Sequence, residues 1–134
     1  MRDGKTRAMK RSGGGQGLSG FLQRRRAVIV ILTGGAQGTE HVLDQSRVLL
    51  GRGPGVDLCF DDSTMSSQHA ALEFREGGFA VRDLGSTNGT FVNGGRVQVA
   101  ALKNGDRLEL GENVFEFVLE ERERRPKTYV LPED

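Results

Sequence analysis

From Ala27 to Leu119 the sequence breaks on Gly, Asp or Asn every few residues, and no window keeps a 3.6-residue apolar period beyond two helical turns. Between the breaks stand short β-rich runs: AVIVILT (27–33), TEHVLD (39–44), SRVLLGR (46–52), VDLCF (56–60), HAALEFRE (69–76), FAVRDL (79–84), TFVNG (90–94), RVQVAAL (96–102), DRLELG (106–111) and NVFEFVLEE (113–121). Eight to eleven short strands spaced by turn residues make a β-sandwich, with a barrel as the alternative closure. The 69–84 stretch reads as one hairpin, and 39–44 as a partner for 27–33 across GGAQG. With no Trp and one Tyr, Phe60, Phe74, Phe79, Phe91, Phe115 and Phe117 are the expected anchors of the inner faces.

The flanks differ in character. Residues 1–26 hold eight Lys and Arg against one Asp, with many Gly and Ser, which predicts a disordered basic tail. Residues 120–134 mix both signs and carry two prolines, which predicts a loose, charged C-terminal tail. From residue 27 onward acidic residues outnumber basic ones by seventeen to eleven, so the folded part is mildly acidic. The single Cys59 excludes an intrachain disulfide and points to a reducing compartment. AVIVIL (27–32) is too short for a signal-peptide core or a bilayer span and is followed by no cleavage pattern. A cytoplasmic protein with no membrane partner is therefore expected.

Four loops are rich in polar residues. In GRGPG (51–55), Arg52 stands where a strand breaks into glycine and offers a planar fork of donors suited to phosphate oxygens. In DDSTMSSQHA (61–70), Ser63, Thr64, Ser66 and Ser67 precede His69. Ser66 and His69 invite a nucleophile–base reading, but neither an oxyanion-hole motif nor a nucleophile elbow accompanies them. In DLGSTNGTFVNGG (83–95), Asn88-Gly89 taken by itself is a type I′ hairpin turn. The fourth loop, NGG (93–95) with KNGDRLELG (103–111), is plain turn chemistry. No metal cluster, paired carboxylates or activated nucleophile can be assembled, so no catalytic residue, metal or cofactor is assigned.

Taken in order, Gly51-Arg52, Ser66-x-x-His69-Ala70, Asp83-x-x-Ser86-Thr87-Asn88-Gly89-Thr90, Asn93-Gly94, Gly105-Asp106 and Gly111 resemble the forkhead-associated (FHA) domain over about residues 27–119. The resemblance implies an eleven-stranded β-sandwich with flexible N- and C-terminal tails, whose loops at one end recognise phosphothreonine in a partner protein. It implies that Arg52 ion-pairs with the phosphate, that the Ser66 hydroxyl bonds to it, that Thr87 stands near it, and that Asn88 reads the peptide main chain. Gly51, His69 and Gly89 fall at supporting positions, with His69 bracing the loop that presents Ser66. The family's usual Ser-Arg-x-His has Ser67 in place of the arginine, so Ser67 enters the phosphothreonine-binding set as a neutral residue. Thr64 falls at the flank where the family reads the residue three after the phosphothreonine.

The implied function is a non-catalytic phosphothreonine-binding module whose partner is a Thr-phosphorylated protein or peptide, such as a Ser/Thr kinase or its substrate. The alternative is a phosphate-independent scaffold of the same fold. Nucleic acid is not the expected partner, because the basic charge belongs to a tail without an aromatic-studded face. Thr6 and Thr128 lie in the tails; once phosphorylated, either would present a ligand to the chain's own pocket or to a neighbour's.

Overall fold

A computed structural model describes residues 17–122; Thr6, Thr128 and the rest of both tails lie outside the described residues. One helix, α1 (Leu18–Arg24), is followed by eleven strands: β1 (Arg25–Ile31), β2 (Glu40–Val42), β3 (Arg47–Gly51), β4 (Leu58–Cys59), β5 (Ala70–Arg75), β6 (Gly78–Asp83), β7 (Thr90–Val92), β8 (Gly95–Arg96), β9 (Val99–Ala101), β10 (Arg107–Leu110) and β11 (Asn113–Glu121). They form a five-stranded sheet, β9-β6-β5-β3-β4, and a six-stranded sheet, β2-β1-β11-β10-β7-β8. All pairs are antiparallel except the short β3–β4 pair. The result is a sandwich rather than a closed barrel.

The alternation of each strand fixes which side faces inward. Ile29 and Ile31 of β1, Leu50 of β3, Leu72 of β5, Val81 of β6, Leu108 and Leu110 of β10, and Phe115 and Phe117 of β11 fill the space between the sheets. Phe79 and Phe117 meet across it at 6.3 Å. Phe60 and Phe74 are half-buried against the same cluster. Phe91 does not join it: Thr90 is fully buried and Val92 packs inward, so Phe91 between them faces outward.

Two tight hairpins carry the conformations that type I′ turns require. Glu76 and Gly77 (φ 53° and 83°) join β5 to β6, and Asn93 and Gly94 (φ 50° and 88°) join β7 to β8. Asn88-Gly89 is not a hairpin turn. Only Gly89 has a positive φ there, and the strands on either side, β6 and β7, belong to different sheets. The turn residues at 84–89 therefore serve a crossing between sheets.

Two further expectations differ from the structure. The run 96–102 is not one strand: β8 ends in the six-stranded sheet and β9 begins in the other, with Val97 and Gln98 spanning the gap and bonding to Thr90 and Asp83 respectively. The ordered chain also starts earlier than residue 27. Phe21 of α1 is buried and meets Phe74 and Phe79 edge-on at 5.0 and 5.7 Å. Arg25 and Arg26 pair in register with Glu121 and Glu120, and Arg26 bonds Glu120 at 3.1 Å. A local reading sees a basic run; Glu120 and Glu121, which face it across the sheet, are more than ninety residues away, and Glu40 adds a third acid 3.7 Å from Arg26.

The β3–β4, β4–β5 and β6–β7 loops gather at one pole, with the β10–β11 turn beside them, since Asn113 reaches Asp62 and the Glu112 amide reaches Thr64. Helix α1 and Arg122, which are bonded to each other, occupy the opposite pole.

Candidate functional site

The β4–β5 loop is knotted around Asp62. Its Oδ1 accepts the Thr64 amide and hydroxyl, both at 2.8 Å, and its Oδ2 accepts Asn113 Nδ2 at 2.6 Å. An Asp bonding the backbone two residues on is an Asx turn. The Thr64 amide bond, then its hydroxyl, Asn113 and the Arg52 charge together hold the Asp62 carboxyl below its ordinary range, against the opposing effect of desolvation. Thr64 is consumed by this knot: its hydroxyl also accepts the Glu112 amide at 2.9 Å, and its carbonyl accepts Asn88 Nδ2 at 2.8 Å. Thr64 thus positions its neighbours through its amide, hydroxyl and carbonyl.

The same loop then passes the end of β3. The Arg52 and Gly53 amides donate to the Ser66 and Ser67 carbonyls at 3.0 Å, and Arg52 Nε donates to the Met65 carbonyl at 3.1 Å. That bond anchors the near side of the guanidinium. Its two terminal nitrogens have no hydrogen-bond partner among the described residues and are free to take a bidentate anion. Gly51 is required by contact: a Cβ there would overlap the Ser67 carbonyl oxygen. Ser67 is exposed, and its backbone lies against Gly51 and Gly53.

His69 is fully buried behind this loop. Its Nδ1 lies 3.1 Å from the Ser66 amide nitrogen and its Nε2 2.9 Å from the Gly89 carbonyl oxygen. An amide can only donate and a carbonyl only accept, so the ring is a neutral imidazole with its proton on Nε2. Both nitrogens are thereby occupied by backbone, and neither reaches Ser66 Oγ. The nucleophile–base reading fails on this geometry; His69 is a brace between two loops.

The β6–β7 loop is organised by the buried Asp83. Its Oδ2 accepts the Gly85 and Ser86 amides at 3.0 and 3.1 Å, and its Oδ1 accepts the Ser86 and Thr90 hydroxyls. Burial pushes this carboxyl up, but the four hydrogen bonds outweigh burial and hold it below its ordinary value. Ser86 Oγ in turn accepts the Gly89 amide at 3.0 Å. Gly89 has φ 90°, where an L side chain is strained, and a Cβ there would also displace the Arg96 side chain, whose Nε lies 2.9 Å from its position. The loop is locked from below, which leaves Thr87 and Asn88 exposed at its tip.

There the loops join. The Thr87 amide donates to Ser66 Oγ at 3.0 Å, so the hydroxyl has an acceptor role already filled and its own proton free to donate outward. Asn88 spends one amide hydrogen on Thr64 and presents its carbonyl oxygen and second hydrogen. The structure thus brings Arg52, Ser66, Thr87 and Asn88 to one rim, with Ser67 beside them and Gly51, His69 and Gly89 beneath. The roles of Asp62 and Asp83 are visible only in hindsight, as Asp-x-Thr and Asp-x-x-Ser turn patterns. Among the described residues no group of three or more His, Cys, Asp or Glu could hold a metal ion, and no helix is long and apolar enough to cross a membrane.

The sequence model of the FHA domain family matches residues 48–111. The glycogen accumulation regulator GarA of Mycolicibacterium smegmatis is 41% identical over 86 residues, which are 64% of this chain and 54% of that protein. The oxoglutarate dehydrogenase inhibitor of Corynebacterium efficiens is 38% identical over 86 residues, 64% of this chain and 61% of that protein. The chain thus spans little more than half the length of these curated relatives. Among solved structures, an FHA domain studied for phosphothreonine-dependent interactions superposes with a TM-score of 0.64 at 27% identity, covering 69% of this chain and 95% of that one.

Proposed function

This chain carries a forkhead-associated domain, and on that premise we propose that it is a regulatory module that binds a threonine-phosphorylated segment of a partner protein. The observation that carries the reading is the pairing of two free donors at one rim: the terminal nitrogens of Arg52, aimed by the Nε–Met65 bond, and the Ser66 hydroxyl proton, aimed by the Thr87 amide. A phosphate with close to two negative charges satisfies both, and neither group must be rebuilt on binding. Asn88, held to Thr64, reads the peptide main chain beside the phosphate. Thr87 borders the phosphate, and the Ser67 hydroxyl adds a neutral donor where the family pattern usually has a second cation. Relatives named as a glycogen accumulation regulator and as an oxoglutarate dehydrogenase inhibitor support a regulatory role. The partner class for this chain is accordingly a phosphorylated protein of a Ser/Thr-kinase pathway, met in the cytoplasm.

A calorimetric titration of a degenerate phosphothreonine peptide library tests this. Arg52→Ala and Ser66→Ala should each weaken binding about ten- to a hundredfold, the worth of one charge-assisted hydrogen bond of roughly 1.5–3 kcal/mol. Binding that survives Arg52→Ala unchanged, or that does not require the phosphate, refutes the reading in favour of a phosphate-independent scaffold.

A further inference from the structure

We propose that strand β9, with the arginines of the adjoining sheet face, is a second docking surface, which takes an extended, carboxylate-bearing segment of a partner protein by strand addition. β9 is an edge strand, paired with β6 alone. The Asp83 amide bonds the Gln98 carbonyl and the Leu102 amide bonds the Phe79 carbonyl at either end of the pair. Antiparallel alternation then turns Ala100 toward β6 and leaves the N–H and C=O of Val99 and Ala101 pointing away from the sheet. Neither has a partner among the described residues. Natural edges of this kind are commonly blunted by lysine, proline or a bulge. This one carries Val99, 43% exposed, above a hollow of about 340 Å³ whose lining includes Arg75, Glu76, Phe79, Ala80, Ala101 and Leu102.

The charge beside the edge defines the occupant. Arg47, Arg75 and Arg82 converge on the single carboxylate of Glu73 at 3.5, 3.8 and 3.1 Å, with side chains 54%, 41% and 40% exposed. Glu73 and, at the edge of the hollow, Glu76 stand against three cations, which leaves a net positive charge on this face of a domain that is otherwise mildly acidic. Arg82 lies directly opposite Val99 in the β6–β9 register. A strand added to β9 would lie two strand spacings from β6, about 9–10 Å, a gap that an arginine and a glutamate close from either side of Val99. Main-chain bonds to Val99 and Ala101 would supply affinity, and alternate carboxylates facing the arginines would supply specificity. A second copy of the chain fits poorly, because β9 against β9 would oppose two arginine clusters. The floor of Ala80, Ala101 and Val99 offers no ring on which a nucleobase could stack.

The probe is an unphosphorylated ten-residue peptide of alternating Val and Glu, titrated into the full chain and followed by amide NMR shifts, with an alternating Val and Lys peptide as control. Shifts should centre on residues 78–83 and 98–102 and persist in Arg52→Ala. The double variant R75E/R82E, and separately Ala101→Pro, which deletes an N–H the sheet itself does not use, should each weaken binding about tenfold. Unchanged phosphothreonine-peptide binding reports that each variant is folded; if one fails that check, the other and the wild-type shift map decide. No shifts up to millimolar peptide, equal binding of the Lys peptide, or indifference to Ala101→Pro overturns the proposal. So does displacement by an oligodeoxynucleotide, or a concentration-dependent dimer that shifts the same amides.

Discussion

Replacing Asp83 by Asn tests whether the β6–β7 loop is held by one buried charge. The carboxylate accepts four hydrogen bonds, two from amides and two from hydroxyls. Asparagine keeps one acceptor oxygen and sets an NH₂ against the donors on the other side. Each bond to a charged group contributes roughly 1.5–3 kcal/mol, and two lost from one network do not add fully, so the variant should lose about 2–4 kcal/mol. With a urea dependence of about 1–3 kcal/mol/M, the unfolding midpoint should fall by about 1–3 M. The pH profile adds a second reading. Because folding lowers the Asp83 pKa from 3.8, its contribution is present above that value and is lost as pH falls through the lower folded value. The gap between wild type and variant should therefore be constant from about pH 5 to 8 and close below about pH 4. A stability within 0.5 kcal/mol of wild type at pH 7 (about the noise of a surface substitution), or a gap equally wide at pH 3, refutes this account of the loop.

Gly51→Ala should push the Ser66–Ser67 segment off the end of β3, costing about 1–3 kcal/mol of stability, with phosphopeptide affinity falling at least tenfold where titrated. Phe21→Ala should cost about 3–5 kcal/mol in chemical denaturation; a loss under about 1 kcal/mol would mean that α1 is dispensable to the core. Glu76→Asn relieves a side chain poorly suited to φ 53° and should raise stability by about 0.5–1 kcal/mol, read as a higher melting temperature without change in phosphopeptide binding.

What could be read from sequence was what neighbours in sequence decide. The β5–β6 hairpin was legible because alternation and a Gly77-containing turn agree over one short stretch. Arg52 and Ser66 were legible only from the order of the motifs around them, since each alone reads as an ordinary loop residue. Phe21 was hidden because its partners, Phe74 and Phe79, lie more than fifty residues on, inside a segment whose Gly, Ser and Arg content dominates any local average. The break between β8 and β9 left no trace because RVQVAAL alternates through it, and only the sheet to which each half bonds reveals the crossing. Asp83 entered the reading only as one position of the Asp83-x-x-Ser86 motif and Asp62 not at all, because the groups they bind, Thr90 in one case and Asn113 in the other, come beside them only in the fold.

The polarity of the sandwich sets a ruler for any tethered ligand. The rim that bears Arg52 and Ser66 stands at the start of β11, while Arg122, past its end, is nine residue steps or about 31 Å away. Thr128 is six residues beyond Arg122 and, drawn out fully at about 3.4 Å per residue, spans only about 20 Å. Its tether falls short of the rim of the same molecule. Thr6, eleven residues before Gly17, commands about 37 Å, enough to travel the whole length of the domain. On that ruler a phosphate on Thr6 would have chain enough for capture within one molecule, whereas one on Thr128 would favour capture by a neighbour. The first event would be independent of protein concentration and the second proportional to it.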